Sequence, residues 1–232
     1  MKLGFSLAAA AILAAAAQPA SVRIILVGDS TVAPVNGWGP GFCPLLPHVA
    51  CINMAKNGRS SSSYRAEGSW DEVRRELAKS GFDSTYVLIQ FGHNDQPGKP
   101  GRSTDLATEF PVNLQRYIEE VKAAGARPIL VTPLTRRSFK DGKVTNTLRD
   151  WAEATIKVAG EGHVPVLDLN AESLAAVQKM GPEEADTLAQ LPKPDPKFDY
   201  THLGPKGAAL FGRMVAGELT AAVPDLKPYV TQ

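Results

Sequence analysis

Four short clusters hold the side chains that covalent chemistry would need: Gly28-Asp29-Ser30-Thr31, Asn57-Gly58-Arg59-Ser60, Gly92-His93-Asn94-Asp95 and Asp199-Tyr200-Thr201-His202. A serine hydroxyl is a weak nucleophile until a base takes its proton, and imidazole, which titrates near neutral pH, suits that task. His202 supplies the imidazole. Asp199, three positions earlier, can accept from the other ring nitrogen, orienting the base and stabilising its cation. The tetrahedral intermediate of acyl transfer then needs donors aimed at its oxyanion. The backbone N–H groups of Ser30 and Gly58 and the side-chain amide of Asn94 supply three, each worth about 10²- to 10³-fold in rate. Glycine suits position 58 because backbone must approach the substrate there without a Cβ in the way. Taken singly, each cluster is a common turn sequence; taken together they make a device for acyl transfer.

Such a device requires elements that bring four distant segments to one place. Apolar, β-branched runs at Arg23 to Val27, Val49 to Asn53, Thr85 to Phe91, Arg127 to Val131 and Val164 to Leu167 read as five buried strands. Between them lie helical spacings, as at Trp70 to Lys79 after Ser69, and at Thr104 to Ala124 before Gly125. A last helix is expected over Pro205 to Ala222. Buried strands separated by helices demand a parallel sheet with helices on both faces, joined by right-handed crossovers. The expected fold is therefore α/β, a three-layer α/β/α sandwich around a five-stranded parallel sheet. In such sheets ligands bind beyond the carboxyl ends of the strands, and the first three clusters follow expected strands. The segment Leu191 to Asp199, with Pro192, Pro194 and Pro196, is expected as a stiffened approach to the fourth cluster.

The blocks Gly28-Asp29-Ser30, Gly58, Gly92-His93-Asn94-Asp95 and Asp199-x-x-His202 resemble, in order, the signature blocks of the SGNH hydrolases, the GDSL-type esterases and lipases with a flavodoxin-like fold. Thr31 stands where the GDSL name has Leu. Within that superfamily, Asn-Gly-Arg-Ser-Ser at 57 to 61, Thr-Pro-Leu-Thr-Arg-Arg-x-Phe at 132 to 139 and Asp-x-Thr-His-Leu at 199 to 203 are similar to the rhamnogalacturonan acetylesterases. The resemblance implies Ser30 as nucleophile, His202 as base, Asp199 as its partner, and Ser30, Gly58 and Asn94 as oxyanion donors. It also implies no metal and no organic cofactor, and an acetylated polysaccharide, most simply the pectin backbone, as substrate. Rival readings are an esterase for other acetylated glycans or small acyl esters, a carbohydrate-binding protein without activity, and a flavodoxin-like cofactor binder.

Other residues carry narrower expectations. His93 either contacts substrate or packs beside Asn94. Trp70 and Trp151 read as core, whereas Trp38, inside the string Gly37-x-Gly39-x-Gly41, is expected to line the cleft. Pro40 and the spacing exclude a dinucleotide fingerprint there. His48 and His163 read as surface residues, and Asp29 as a loop tie. The adjacent pairs Glu119 with Glu120 and Glu183 with Glu184 diverge around helices and read as solvated surface, not as a glycosidase pair.

Composition bounds the partners. The 232 residues hold 25 Lys plus Arg against 24 Asp plus Glu, a formal charge of +1, which argues against a nucleic-acid binder. The positive charges nevertheless gather in the segments flanking the expected crevice, so that Lys56, Arg59, Arg65, Arg136, Arg137 and Lys140 would form a basic rim suited to a galacturonate polymer. Arg59 and Arg136 are the expected substrate contacts. Residues 1–20, with Lys2 before the apolar run Phe5 to Ala17, read as a secretory signal peptide cleaved after Ala17 or Ala20, leaving one domain over 21–232. The mature chain is expected to be secreted or periplasmic, without a membrane span, and monomeric. Cys43 and Cys51 would then either pair as a disulfide or stay as buried thiols.

Overall fold

The computed structural model describes residues 21–231, so the expected signal peptide lies outside the described residues. The strands are β1 (Val22–Gly28), β2 (Val49–Asn53), β3 (Ser84–Gln90), β4 (Arg127–Val131), β5 (Phe139–Lys140), β6 (Lys143–Val144) and β7 (Val166–Leu167). Five of them form one parallel sheet in the order β2-β1-β3-β4-β7. The chain runs from β1 outward to β2, then crosses back to β3 on the other side of β1. The carboxyl ends of β1 and β3 therefore flank the point where strand order reverses, with Gly28 level with Gln90.

Among the described residues seven α-helices accompany the sheet: α1 (Gly39–Phe42), α2 (Ser63–Ala66), α3 (Ser69–Leu77), α4 (Glu109–Ala123), α5 (Arg149–Glu161), α6 (Leu169–Asp186) and α7 (Pro205–Ala222). Alternation along β1 divides the core in two. Ile24 and Leu26 pack with Phe42, Val177, Phe211, Val215 and Leu219 from α1, α6 and α7. Ile25 and Val27 pack with Trp70, Val73, Phe110, Leu114 and Val158 from α3, α4 and α5. The three-layer α/β/α sandwich is as expected. Among the described residues no helix is long and apolar enough to cross a membrane.

Local departures have local causes. Helix α4 begins at Glu109, not Thr104, because the Asp105 carboxylate accepts the N–H groups of Ala107 (3.0 Å) and Thr108 (2.8 Å), while the Glu109 carboxylate accepts the Asp105 N–H (2.7 Å). That reciprocal turn holds the chain out of the helix for its first residues. The last sheet strand shortens to Val166–Leu167, since Pro165 has no N–H to donate and only its carbonyl joins the ladder, accepting from Leu130 at 3.0 Å. The β5–β6 hairpin was not expected. Its turn, Asp141-Gly142, has φ of +49° and +75°, the two left-handed residues of a tight hairpin, and the Asp-Gly pair was the signal available.

The glycine-rich string after the first cluster does not form a cleft lip. A Cβ on Gly41 would stand 1.9 Å from the Ala208 carbonyl oxygen, and one on Gly212 would stand 2.4 Å from the Gly41 carbonyl carbon. Helices α1 and α7 thus meet backbone to backbone. Trp38 is fully buried beside them, edge-on to Phe42 at 5.6 Å, so the expectation that it lines the cleft is corrected. A disulfide joins Cys43, at the end of α1, to Cys51 in β2 (Cα–Cα 5.5 Å). The segment that follows Ser30 is therefore fixed to α7 on one side and to the sheet edge on the other.

Candidate active site

At the carboxyl end of β1 the chain turns sharply. The Asp29 carboxylate, fully buried, accepts the Thr31 N–H (2.8 Å) and the Thr31 hydroxyl (2.7 Å). Gln90, at the end of β3, donates to that hydroxyl (2.6 Å) and accepts the Trp38 indole N–H (2.9 Å). This buried ladder ties the turn holding Ser30 to the core, and it satisfies the indole N–H of the buried Trp38.

The fourth cluster arrives from the other end of the chain. Asp199 folds its loop by accepting the N–H groups of Thr201 and His202, both at 2.7 Å on Oδ1. Its Oδ2 lies 3.0 Å from His202 Nδ1, and His202 Nε2 lies 2.9 Å from Ser30 Oγ. The carboxylate selects the tautomer with the proton on Nδ1, so Nε2 accepts from the Ser30 hydroxyl. Partial burial opposes ionisation of Asp199, but the His202 and Thr201 N–H groups and the imidazole outweigh it and hold the carboxyl below its usual range. A hydroxyl, an imidazole and an ionised carboxylate in line can activate the oxygen for attack on an acyl carbon.

What holds the Asp199–His202 loop was not read from the sequence. Arg137 is fully buried and donates through Nη1 to the Thr201 carbonyl (3.2 Å) and through Nη2 to the carbonyls of Asp199 (3.0 Å) and His202 (2.9 Å). Its own N–H donates to the Tyr200 carbonyl at 2.8 Å. Burial pulls the guanidinium down to about 10, against the attraction of Asp199 and Asp186, so it remains a cation at neutral pH. It is a tether for the loop and not part of a basic rim.

The second and third clusters are joined by another buried carboxylate. Asp95 accepts from the N–H groups of Gly92 (3.0 Å) and Ser61 (3.0 Å) and from the hydroxyls of Ser61 (2.5 Å) and Thr104 (3.1 Å). Ser60 and Ser61 are fully buried, so the serine run is an ordered part of the site. Gly58, with φ +77°, turns the loop before it, and Asn94 Nδ2 donates to the Arg59 carbonyl at 3.0 Å. The N–H groups of Ser30 and Gly58 find no acceptor among the described residues, which leaves them free for an incoming oxyanion. Burial raises Asp95 to about 6 despite the donors from Ser61 and Thr104. A carboxyl raised in the folded state favours folding most below its unfolded value and loses that contribution as pH rises through the folded one. Asp95→Asn, which cannot ionise, should therefore gain in stability relative to the unaltered protein between pH 4 and pH 6, by up to about 3 kcal/mol. Paired thermal melts across that range test this; a constant difference would refute it.

The remaining site residues are placed as follows. His93 is buried, its Nδ1 3.6 Å from Asp29 Oδ2, and neither ring nitrogen has a hydrogen-bond partner among the described residues. Burial lowers its pKa against the pull of Asp29, with Arg136 and Lys99 adding to the lowering, so the ring is neutral and the packing alternative fits it. Arg59 is held by Glu67 (2.8 Å) and by the Asn57 carbonyl (2.8 Å). Arg136 donates to the Thr201 hydroxyl and to Gln96 Oε1 (3.0 Å), one loop position from His202. Lys56 is matched by Glu72 and Arg65 by Glu120, which also accepts the Trp70 indole N–H; Glu120 is thus an anchor and not merely solvated. The expected six-residue basic rim is corrected accordingly.

Residues 26–210 match the model of the GDSL-like lipase/acylhydrolase family. The rhamnogalacturonan acetylesterase RhgT of Bacillus subtilis (strain 168) is 34% identical over 211 residues, which is 84% of this chain and 88% of the relative. Among solved structures, the Bacillus subtilis protein YxiM superposes with a TM-score of 0.72 at 26% identity over 88% of this chain; the match spans 58% of that longer protein. An acetylxylan esterase of Geobacillus stearothermophilus shares the fold with a TM-score of 0.63 at 18% identity, over 85% of this chain and 93% of that one.

Proposed function

The chain belongs to the GDSL-like lipase/acylhydrolase family and is a carbohydrate acetylesterase, and from that premise we propose an exported enzyme that removes acetyl groups from rhamnogalacturonan. The observation that carries the mechanism is the line Asp199–His202–Ser30, with contacts of 3.0 Å and 2.9 Å. Ser30 Oγ attacks the acetyl carbonyl carbon while His202 Nε2 takes its proton. The resulting oxyanion is held by the N–H groups of Ser30 and Gly58 and by the Asn94 amide. Collapse expels the sugar oxygen, which leaves with the proton from His202, and acetyl stays on Ser30. Water, deprotonated by His202, attacks that ester, and acetate departs as the proton returns to Ser30 Oγ.

Two observations support the finer reading. The curated relative RhgT, a rhamnogalacturonan acetylesterase, matches most of both chains, whereas the acetylxylan esterase shares only the fold. Export is supported by the apolar run after Lys2 and by the Cys43–Cys51 disulfide, which suits an oxidising compartment. Acetate release from acetylated rhamnogalacturonan, acetylxylan and an aryl acetate compares the candidates. The expected result is a kcat/KM on rhamnogalacturonan at least about 10-fold above that on acetylxylan, which corresponds to about 1.4 kcal/mol of transition-state discrimination. A higher value on acetylxylan would overturn the substrate assignment while leaving the mechanism standing.

A further inference from the structure

Several cations around the site are matched by carboxylates. Lys56, Arg59 and Arg65 each have a glutamate within 4.0 Å, and Arg137 is buried under the Asp199 loop. Lys99, Arg102 and Arg136 are different: their hydrogen bonds run to neutral acceptors, and none has a carboxylate within ion-pair distance among the described residues. Lys99 donates to the His93 carbonyl and faces Asn94 Oδ1 at 3.4 Å. Arg102 donates to the Gly58 carbonyl at 3.3 Å, and a Cβ at position 58 would lie 3.4 Å from its Nη1. Arg136 donates to Thr201 and Gln96.

The three therefore stand at the two loops that carry Gly58 and Asn94 and beside the loop that carries His202. Lys99 is also close enough to be repelled by the other two. Burial lowers the Lys99 ammonium, and Arg136 and Arg102 lower it further. The nearest carboxylates, Asp29, Asp95 and Asp199, attract Lys99 or Arg136 only from beyond ion-pair distance. Three cations gathered at the site with no carboxylate in contact are only partly compensated, and an incoming anion would complete the balance. The guanidinium forks of two arginines match a planar two-oxygen anion.

We propose that Lys99, Arg102 and Arg136 form a subsite for the carboxylate of a uronic acid residue of the acetylated glycan. This rests on the glycan acetylesterase reading above and specifies the charge of its substrate. The subsite places a uronate against the same loops that donate to the oxyanion, so a neutral acetylated glycan lacks one anchoring contact.

The test compares an acetylated uronate-containing oligosaccharide with the same oligosaccharide after its carboxyls are reduced to alcohols. The unaltered enzyme should show a KM about 10-fold higher on the reduced form, with kcat changed by less than about 3-fold, as for loss of a contact made equally in ground and transition states. In Arg102→Gln the ratio of the two KM values should fall toward one, whereas in Lys157→Gln, a surface charge on α5 paired only with Glu161, it should stay as in the unaltered enzyme. Equal KM values for the two glycans in the unaltered enzyme would overturn the subsite. So would an Arg102→Gln variant that loses the same factor on both, the signature of three cations serving the oxyanion alone. Should the enzyme release acetate from neither glycan, the substrate reading fails separately, and the subsite is scored by inhibition of aryl acetate hydrolysis. Galacturonate oligomers should inhibit the unaltered enzyme about 10-fold more strongly than Arg102→Gln. No inhibition by those oligomers would then overturn it.

Discussion

Replacing Ser30 by alanine should lower kcat for acetate release by about 10⁵- to 10⁶-fold while leaving the melting temperature within about 2 °C of the unaltered protein. The two halves of that expectation have separate causes. Ser30 Oγ is the atom that would carry the acetyl group, and without it the remaining groups can only help water attack directly. The residual rate comes from the oxyanion donors at Ser30 N–H, Gly58 N–H and Asn94. Stability is spared because the Ser30 hydroxyl meets only His202 Nε2, and the His202 side chain is 33% exposed, so water replaces the lost partner. The polar ladder through Asp29, Thr31 and Gln90 does not use Oγ and survives intact. Acetate release on any substrate the enzyme accepts, with a thermal melt in parallel, measures both. Turnover within about 10-fold of the unaltered enzyme would remove Ser30 from the mechanism.

The second large effect is expected at Arg137, which touches no substrate. Arg137→Met preserves most of the buried volume but leaves the carbonyls of Asp199, Thr201 and His202 without their donor. Each orphaned carbonyl costs about 1–3 kcal/mol, partly offset because a desolvated cation is also removed, and a net loss of about 2–4 kcal/mol follows. The catalytic consequence is larger than a stability change alone would bring. Asp199 is 44% exposed and its loop follows a proline-rich approach, so little apolar packing holds it once the tether is gone. A displacement near 1 Å between His202 and Ser30 is worth about 10²-fold in rate. The expected result is a kcat lower by about 10²- to 10³-fold with KM nearly unchanged, and partial recovery in Arg137→Lys. A variant that loses stability yet keeps its kcat would show that the loop is held by other contacts.

The contrast between these two residues explains what could be read from the sequence. Ser30, Asn94, Asp199 and His202 were legible because each sits in a short block of chemically special residues, and two of the three blocks follow an apolar strand. Arg137 was not, because two consecutive arginines after a strand look like two surface charges. Only the path of the chain, which lays residues 199–202 over the segment that follows β4, decides that one of them is roofed over. The same holds for Trp38 and its glycines. A Gly-x-Gly-x-Gly string close after the nucleophile suggests a tryptophan facing the cleft until the backbone approach of α7 to α1 shows that the string is packed against a helix. The tying roles of Gln90 and Asp95 were not read for a related reason: Thr31 and Ser61, which they hold, lie 59 and 34 positions away, beyond any local pattern. The five sheet strands and helices α3, α4 and α7 depend on local hydrophobic period and were found to within about five residues, whereas α5 and α6 were given no bounds. The hairpin of two-residue strands, too short to show a period, was not.

The serine and the histidine that meet at 2.9 Å are 172 positions apart in the chain. Between them every strand of the sheet except β1 must be laid down, and α7 can seat against α1 only after the loop before it has reached its place. The pairing of first strand and last loop is thus among the contacts of longest range in the molecule, the kind that close late because their loop entropy is recovered last. Esterase activity consequently reports the completion of folding. A chain that has assembled its sheet but not docked α7 would carry native-like secondary structure and still be inert, so export before folding, if it follows the proposal above, would leave the polypeptide unable to act on acetyl esters at its site of synthesis.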